Sequence, residues 1–396
     1  MIPYGRHTVN WRDAFAVAWQ VRTRSLTQGE RIQEFEEKIA KFVGSKYAVA
    51  VSSATAGLHI SMLALELPPE SEVVTSPISF VASSNVILYS GMKPVFLDID
   101  PETVNLSPEL FQSYCHTSTK VKAVIPVHFA GLPCEMPKIK EAASKFDIRI
   151  IEDAAHALGG SYETGEKIGS CKYSDLTVFS LHPVKSITTG EGGVITTNSL
   201  DLYKKLLSLR SHGITKIEES FQNPILSRSN GKLNSWYYEM QQLGFHYRLT
   251  EIQAALGISQ MHKLDKFMKK RLRIVNYYDK CLSEVDSIMP AQKIDKDYSG
   301  NHIYPILIDF TKLEISKENF LAELRNSGIR AQIHYLPIPF HPFYAKNGFD
   351  VRNIPNAVKY YSECMSIPLY PNLSKHQQRF VLSNLKRIVR SNLHSS

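Results

Sequence analysis

The sequence predicts an α/β fold: a large unit on a mostly parallel central sheet, followed by a smaller C-terminal α/β unit. Three observations carry this. Short apolar runs alternate with helix-period segments through the first two-thirds of the chain. Several of those runs end in loops rich in Ser, Gly and Asp. A chain of 396 residues also exceeds what a single core comfortably holds. The expected division is 1–250 for the large unit with its N-terminal segment, and 251–396 for a linking helix and the small unit. Ligands of such sheets sit at the carboxyl ends of the strands, so the loops there are where chemistry is expected.

Taken in order, FEEKIAKFVG at 35–44 spaces Phe35, Ile39 and Phe42 on one helix face. KYAVAVSSATAGLHISMLALEL then changes from strand to helix at SSAT, residues 52–55. Apolar runs beside Pro or Gly follow at 71–91, 93–100 and 121–131, and MPKIKEAASKF forms a crossover helix before the strand of DIRIIEDAAHALGG. YSDLTVFSLHPVKSITTGEGGVITTN reads as strand, loop and strand, with Lys185 in the loop. Residues 214–245 form a polar excursion suited to an interface or a substrate loop. One long helical pattern runs over 248–282, with Gly257 a bend or a close packing point. Beyond it NHIYPILIDF and IRAQIHYLPI read as strands, and SKENFLAELRNSG, 356–364 and 374–391 as helices.

Composition excludes other classes. With 43% hydrophobic and 21% charged residues, the chain is globular rather than disordered. The net charge of +8 favours phosphorylated ligands, but the cations are dispersed, and the densest run, HKLDKFMKKRLR at 262–273, mixes in acidic and apolar residues as a solvated helix face does. No nucleic-acid partner is expected. Cys115, Cys134, Cys171, Cys281 and Cys364 include no close pair, so no metal site is expected, and they read as reduced thiols of a cytoplasmic protein. The opening residues lack a signal-peptide core, and no run reaches the length of a membrane span.

A lone lysine is most often a solvated surface residue. Lys185 differs through its company. A lysine amine that can lose its proton attacks a carbonyl, as it does with pyridoxal phosphate, and that chemistry also needs a carboxylate for the pyridine nitrogen and a seat for the phosphate. Asp153, at the end of its strand, suits the carboxylate role; its bland alternative is a cap for AAHA. SSATAG at 52–57 suits the phosphate, through helix-start N–H groups and the Thr55 hydroxyl, or is an N-cap and nothing more. Ser180 adds a hydroxyl at the same end of the sheet. Phe80 suits ring stacking, although most such aromatics are core. His156 either donates to the cofactor's phenolic oxygen or satisfies its own helix start. In TGEGG, Gly190, Gly192 and Gly193 are expected to take positive φ and give Lys185 a firm loop.

Together SSAT, PISFVAS, EDAAHALGG, SLHPVKSITTGEGG and GFHYRLTEIQAALG, in this order from about residue 3 to 390, resemble the sugar aminotransferases of the DegT/DnrJ/EryC1/StrS family. The resemblance implies a fold type I pyridoxal 5'-phosphate enzyme. Within the family, IPYGR, LTQGERIQEFEEKIAKFVG, NHIYPIL and IRAQIHYLPI resemble the branch that serves pseudaminic acid synthesis. That branch uses L-glutamate to aminate a UDP-linked 4-keto-6-deoxy-N-acetylhexosamine.

Carried over by position, the resemblance makes Lys185 the Schiff-base lysine and Asp153 the partner of the pyridine nitrogen. Thr55 and Ser180 become phosphate ligands, Phe80 the stacking ring and His156 the neighbour of the phenolic oxygen. Ala54 becomes a backbone donor and Ala155 a packing surface. His334 in HYLPIPFH is the expected contact to the sugar nucleotide, with Arg6 and Arg248 for its diphosphate. The family is similarly the source of an expected homodimer with shared sites. Where it usually has Asn before YR, supplied to the phosphate by the other subunit, this chain has His246. Three alternatives accompany this reading. A transaminase acting at C3 or C4 of another UDP-, dTDP- or GDP-linked keto sugar would keep the same residues. A pyridoxamine-dependent dehydratase would carry histidine in place of Lys185, and a non-catalytic binding protein would tolerate loss of Lys185 or Asp153.

Overall fold

A computed structural model of the chain describes residues 1–293 and 297–393. At its centre lie seven strands: β1 (Tyr47–Val51), β2 (Glu72–Thr75), β3 (Lys93–Phe96), β4 (Val121–Ile125), β5 (Arg149–Asp153), β6 (Leu176–Ser180) and β7 (Gly193–Thr197). Their spatial order is β1-β7-β6-β5-β4-β2-β3. β3, β2, β4, β5 and β6 are parallel to their neighbours in that series, whereas β7 lies antiparallel to both β6 and β1. Parallel neighbours need a crossover, but no helix separates β6 from β7, so the chain turns straight back. Loop 181–192, with Lys185, therefore stays at the carboxyl end of β6, beside the end of β5.

Both faces of the sheet are covered, which is why β5, β6 and β7 are almost entirely buried. Alternate strand residues serve opposite cores. Ala50, Val124, Ile150 and Phe179 pack with Phe35, Phe111 and Ile139 on one face. Val51, Ile125, Ile151 and Val178 pack with Leu58, Val86 and Leu206 on the other. The helices over these faces include α1 (Trp11–Thr23), α2 (Glu30–Val43), α3 (Ala54–Ala64) and α4 (Ala82–Tyr89). They continue with α5 (Pro108–Thr117), α6 (Met136–Lys145) and α7 (Leu200–Arg210). α1 was not foreseen; its start is fixed by a capping box between Asn10 and Asp13.

The single helix expected over 248–282 is two, α8 (Glu251–Met261) and α9 (Leu264–Leu282). The break falls at His262 and Lys263 rather than at Gly257, and Lys263 is held there by an ion pair with the buried Asp13. Gly257 is instead a packing point: a Cβ there would come within 2.7 Å of the Phe35 ring. Next comes an antiparallel sheet, β8 (Ile288–Pro290), β9 (Tyr304–Ile308) and β10 (Cys364–Ile367). α10 (Lys317–Asn326), α11 (Pro355–Glu363) and α12 (Lys375–Ser391) accompany it. The strand expected over IRAQIHYLPI is reduced to Ile329–Arg330, which pairs in parallel with Ile2–Pro3, and a bridge from Gln332 to Ser366. Pro337 cannot donate to a ladder, and Gln332, Ile333, His334 and Tyr335 line a cavity instead. The excursion at 214–245 holds two short antiparallel pairs and presents Ile225, Trp236 and Met240 to solvent. No helix among the described residues is long and apolar enough to cross a membrane.

Candidate active site

Asp153 ends β5, Ser180 ends β6, and Lys185 follows five residues later in the loop. All three line one cavity of about 480 Å³, together with Ala54, Thr55, Phe80, Ala155, His156 and His334. A larger groove of about 900 Å³, between α1 and α8–α9, contains none of them.

One end of the cavity is the start of α3. Ser53 is its N-cap, and its hydroxyl accepts the Ala56 N–H at 3.1 Å. The N–H groups of Ala54 and Thr55 lie in the first turn, where a helix has no acceptor of its own to offer, and a helix start favours an anion. β7 packs directly beneath: a Cβ on Gly193 would come within 2.7 Å of the Ser53 carbonyl and the Ala54 nitrogen. The Ser53 cap leaves the Ala54 and Thr55 N–H groups at the cavity, so capping does not preclude a phosphate seat there.

Further along the cavity sits Asp153, 5% exposed. Its Oδ2 accepts a hydrogen bond from Ser83 Oγ at 2.6 Å, and its Oδ1 accepts one from the Ala155 N–H at 3.1 Å. The second bond is the cap-like contact anticipated for this residue, formed while the carboxylate still faces the cavity; residues 155–159 make turns rather than a helix. The strand end is fixed to the segment that follows β4, since the Asp153 N–H donates to the Pro126 carbonyl and the His128 N–H donates to the Asp153 carbonyl.

Lys185 is held by a tight loop. Its N–H donates to the His182 carbonyl at 2.9 Å, and Leu181 bonds Gly192 and Thr189 across the loop base. Gly190 has φ +84°, but Gly192 and Gly193 do not take positive φ as expected; Gly193 is required by close approach instead. Burial pushes the Lys185 ammonium down to about 8, against the opposing pull of the Asp153 carboxylate.

The remaining wall is a set of uncharged imidazoles and a phenol. His156 is held well below the usual histidine range by burial, then by Lys185 and His334. Its Nε2 pairs with Tyr335 Oη at 3.2 Å, while its Nδ1 is buried without a partner. His334 is pushed down to about 3, by burial first and Lys185 second, and its Nδ1 pairs with Ser366 Oγ at 2.9 Å. His302, whose ring centre lies 4.5 Å from that of His156, also lines the cavity. Phe80 stands at the edge, 61% exposed, with its ring 6.4 Å from Tyr335.

Three expected site residues lie elsewhere. Arg6 borders a small crevice that it shares with Lys185 and Ser186, not the main cavity. His246 is exposed and stacks on His212 at 5.4 Å. Arg248 bridges Val51 through its backbone and does not line the cavity. Ser83, Tyr4, His302 and Tyr335 were missed. Their one sequence signal was the nearness of Ser83 to Phe80 and of Tyr335 to His334.

A reactive buried amine, a carboxylate and a helix start around one cavity fit the carbonyl, the pyridine nitrogen and the phosphate of pyridoxal 5'-phosphate. The class so defined is that of pyridoxal phosphate-dependent enzymes. The chain belongs to the DegT/DnrJ/EryC1/StrS aminotransferase family, whose family model matches residues 10–386. The UDP-4-amino-4,6-dideoxy-N-acetyl-beta-L-altrosamine transaminase of Campylobacter jejuni (strain 81-176) is 36% identical over 98% of this chain and 98% of its own. The spore coat polysaccharide biosynthesis protein SpsC of Bacillus subtilis is 33% identical over 98% and 97%. Among solved structures, Helicobacter pylori PseC, an aminotransferase of pseudaminic acid biosynthesis, superposes with a TM-score of 0.88 at 31% identity, covering 98% of this chain and 99% of that one. A putative sugar aminotransferase of Streptococcus pneumoniae, solved in its pyridoxal phosphate form, gives 0.87 at 27% identity, covering 98% and 99%. The protein is a sugar aminotransferase that depends on pyridoxal phosphate.

Proposed function

We propose that the protein transfers the amino group of L-glutamate to C4 of UDP-2-acetamido-2,6-dideoxy-beta-L-arabino-hex-4-ulose, giving UDP-4-amino-4,6-dideoxy-N-acetyl-beta-L-altrosamine. The observation that carries the chemistry is the single cavity shared by Lys185, Asp153 and the start of α3. The choice of sugar is supported by the transaminases of that name, at 33% to 36% identity over nearly the whole chain.

Bound there, pyridoxal phosphate supplies a carbonyl that condenses with amines and a ring that takes up electrons as a neighbouring C–H bond breaks. The Ala54 and Thr55 N–H groups, with the Thr55 and Ser180 hydroxyls, hold the phosphate. Asp153 holds a proton on the pyridine nitrogen by charge pairing. Phe80 and Ala155, which line the same cavity, would pack against the ring. Lys185 Nζ would hold the cofactor through its carbonyl and, when free, would take the α-proton of glutamate and, in the second half-cycle, deliver a proton to C4 of the sugar. A proton affinity near neutrality suits an amine that must do both. His156 stays neutral beside the phenolic oxygen, and His334 meets the sugar nucleotide. Arg6 and Arg248, the expected partners of the diphosphate, lie outside the cavity and are given no role in it.

His246 reaches the phosphate of a second copy in a homodimer, which accounts for its distance from the cavity of its own chain. The boundary between units falls at 250/251.

Incubation of the protein with glutamate and UDP-, dTDP- and GDP-linked 4-keto sugars, with products identified by mass and NMR, tests this reading. Amination of the UDP-N-acetyl sugar at C4 is expected. Preference for a dTDP or GDP sugar would overturn the substrate assignment.

A further inference from the structure

Asp153 takes its orientation from a residue outside its own strand. Ser83 lies in the first turn of α4, is 1% exposed, and places its hydroxyl 2.6 Å from Asp153 Oδ2. The other candidate acceptor for that hydroxyl, the Phe80 carbonyl, is 3.5 Å away, so its proton points at the carboxylate. The helix that carries Ser83 is pinned from the C-terminal part of the chain: the buried Tyr344 hydroxyl lies 2.7 Å from both Ser84 Oγ and Asn85 Oδ1. With Oδ1 taken by the Ala155 N–H, the two contacts fix the carboxylate plane at two points.

We propose that Ser83 is a positioning residue of the reaction: its hydroxyl aims the Asp153 carboxylate at the cofactor's ring nitrogen and thereby governs how well the ring accepts electrons. The inference rests on the role of Asp153 proposed above. A carboxylate left to rotate pairs less well with the ring nitrogen, which then carries less positive charge. The Lys185 nitrogen bonded to the cofactor consequently keeps its proton to higher pH, and breaking the substrate C–H bond becomes slower.

The test compares holoenzyme carrying Ser83→Ala, Ser83→Thr or Asp153→Asn with the parent. In Ser83→Ala the pH midpoint of the bound cofactor's long-wavelength absorbance is expected to move upward. The kcat should fall on the order of tenfold, the scale of one hydrogen bond to a charged group, with little change in KM for glutamate. The isotope effect with glutamate deuterated at Cα should rise. Ser83→Thr, which keeps the hydroxyl, should restore all three. If Ser83→Ala does not fold, Ser83→Cys, a weak donor of similar size, should show the same changes. Parent-like titration and isotope effect in the Ser83 variants, with Asp153→Asn impaired, would overturn this inference alone. A parent-like Asp153→Asn would overturn the underlying reading of Asp153 and this inference with it.

Discussion

Lys185 and Asp153 face one cavity from the ends of adjacent strands, and the carboxylate acts on the amine: burial drives the Lys185 ammonium down to about 8 while Asp153 opposes that shift. Near pH 8 about half of such amines are unprotonated, which an ordinary lysine reaches only near 10.4.

This balance sets the rate at which cofactor-free protein captures pyridoxal phosphate. Only the neutral amine attacks a carbonyl, so the second-order rate should rise with pH, bend near 8 and level off above it. Stopped-flow absorbance from pH 6.5 to 10 reads this directly. A rise continuing unbent to pH 10 would show an unperturbed lysine.

The phosphate cradle makes a steric prediction. In Gly193→Ala the new Cβ would press within 2.7 Å of the Ser53 carbonyl and the Ala54 nitrogen. The start of α3 has to shift, and overpacking of this kind costs about 1–3 kcal/mol, so affinity for pyridoxal phosphate should weaken by roughly tenfold or more. Fluorescence titration measures it. Unchanged affinity would place the phosphate elsewhere.

Behind Asp153, on the opposite face of β5, Glu152 is completely buried. It accepts hydrogen bonds from His128 Nε2 at 2.7 Å, Tyr162 Oη at 2.8 Å and Thr177 Oγ1 at 3.1 Å. His128 Nδ1 accepts the Cys134 N–H, so Nε2 carries the proton it donates. Burial alone would raise the Glu152 pKa, but hydrogen bonds from His128, Ser174 and Tyr162 lower it overall. A carboxyl depressed by folding contributes stability above its unfolded value, and loses it as pH falls through the folded one. Glu152→Gln should therefore lower stability by roughly 2 kcal/mol at pH 7 and flatten the loss of stability below about pH 4. Urea denaturation between pH 3 and 7 checks both; a variant whose pH curve parallels the parent would contradict the assignment.

The proposed role of His246 in a second copy predicts complementation. Lys185→Ala and His246→Ala homodimers should each be impaired, the first completely and the second in cofactor affinity. When they are mixed and allowed to exchange, the site carrying Lys185 gains an intact His246 from its neighbour, so activity at limiting pyridoxal phosphate should recover above the sum of the parts. No recovery after proven exchange would place His246 in its own chain's site or in none.

Much of the site was legible because it follows strand-to-loop grammar. Asp153, Ser180 and the SSAT turn each end an apolar run at the ligand side of the sheet, and Lys185 sits in a loop too short for a crossover helix. Ser83, His302 and Tyr335 escaped because what brings them to the candidate site is contact with segments far away in the chain; within their own segments they are an ordinary helix-turn serine, a histidine before a strand and a tyrosine beside prolines. The break at 262–263 was hidden for the same reason, since the partner of Lys263 is Asp13, at the other end of the sequence. Of the two readings of Gly257, a bend or a close packing point, the second holds: the Phe35 ring leaves no room for a Cβ.

The most direct test of the central claim is borohydride reduction of the holoenzyme followed by peptide mapping. The account predicts that the reduced cofactor's mass appears on the peptide bearing Lys185 and is absent from the Lys185→Ala variant. A label on another lysine, or none on protein saturated with pyridoxal phosphate, would contradict it.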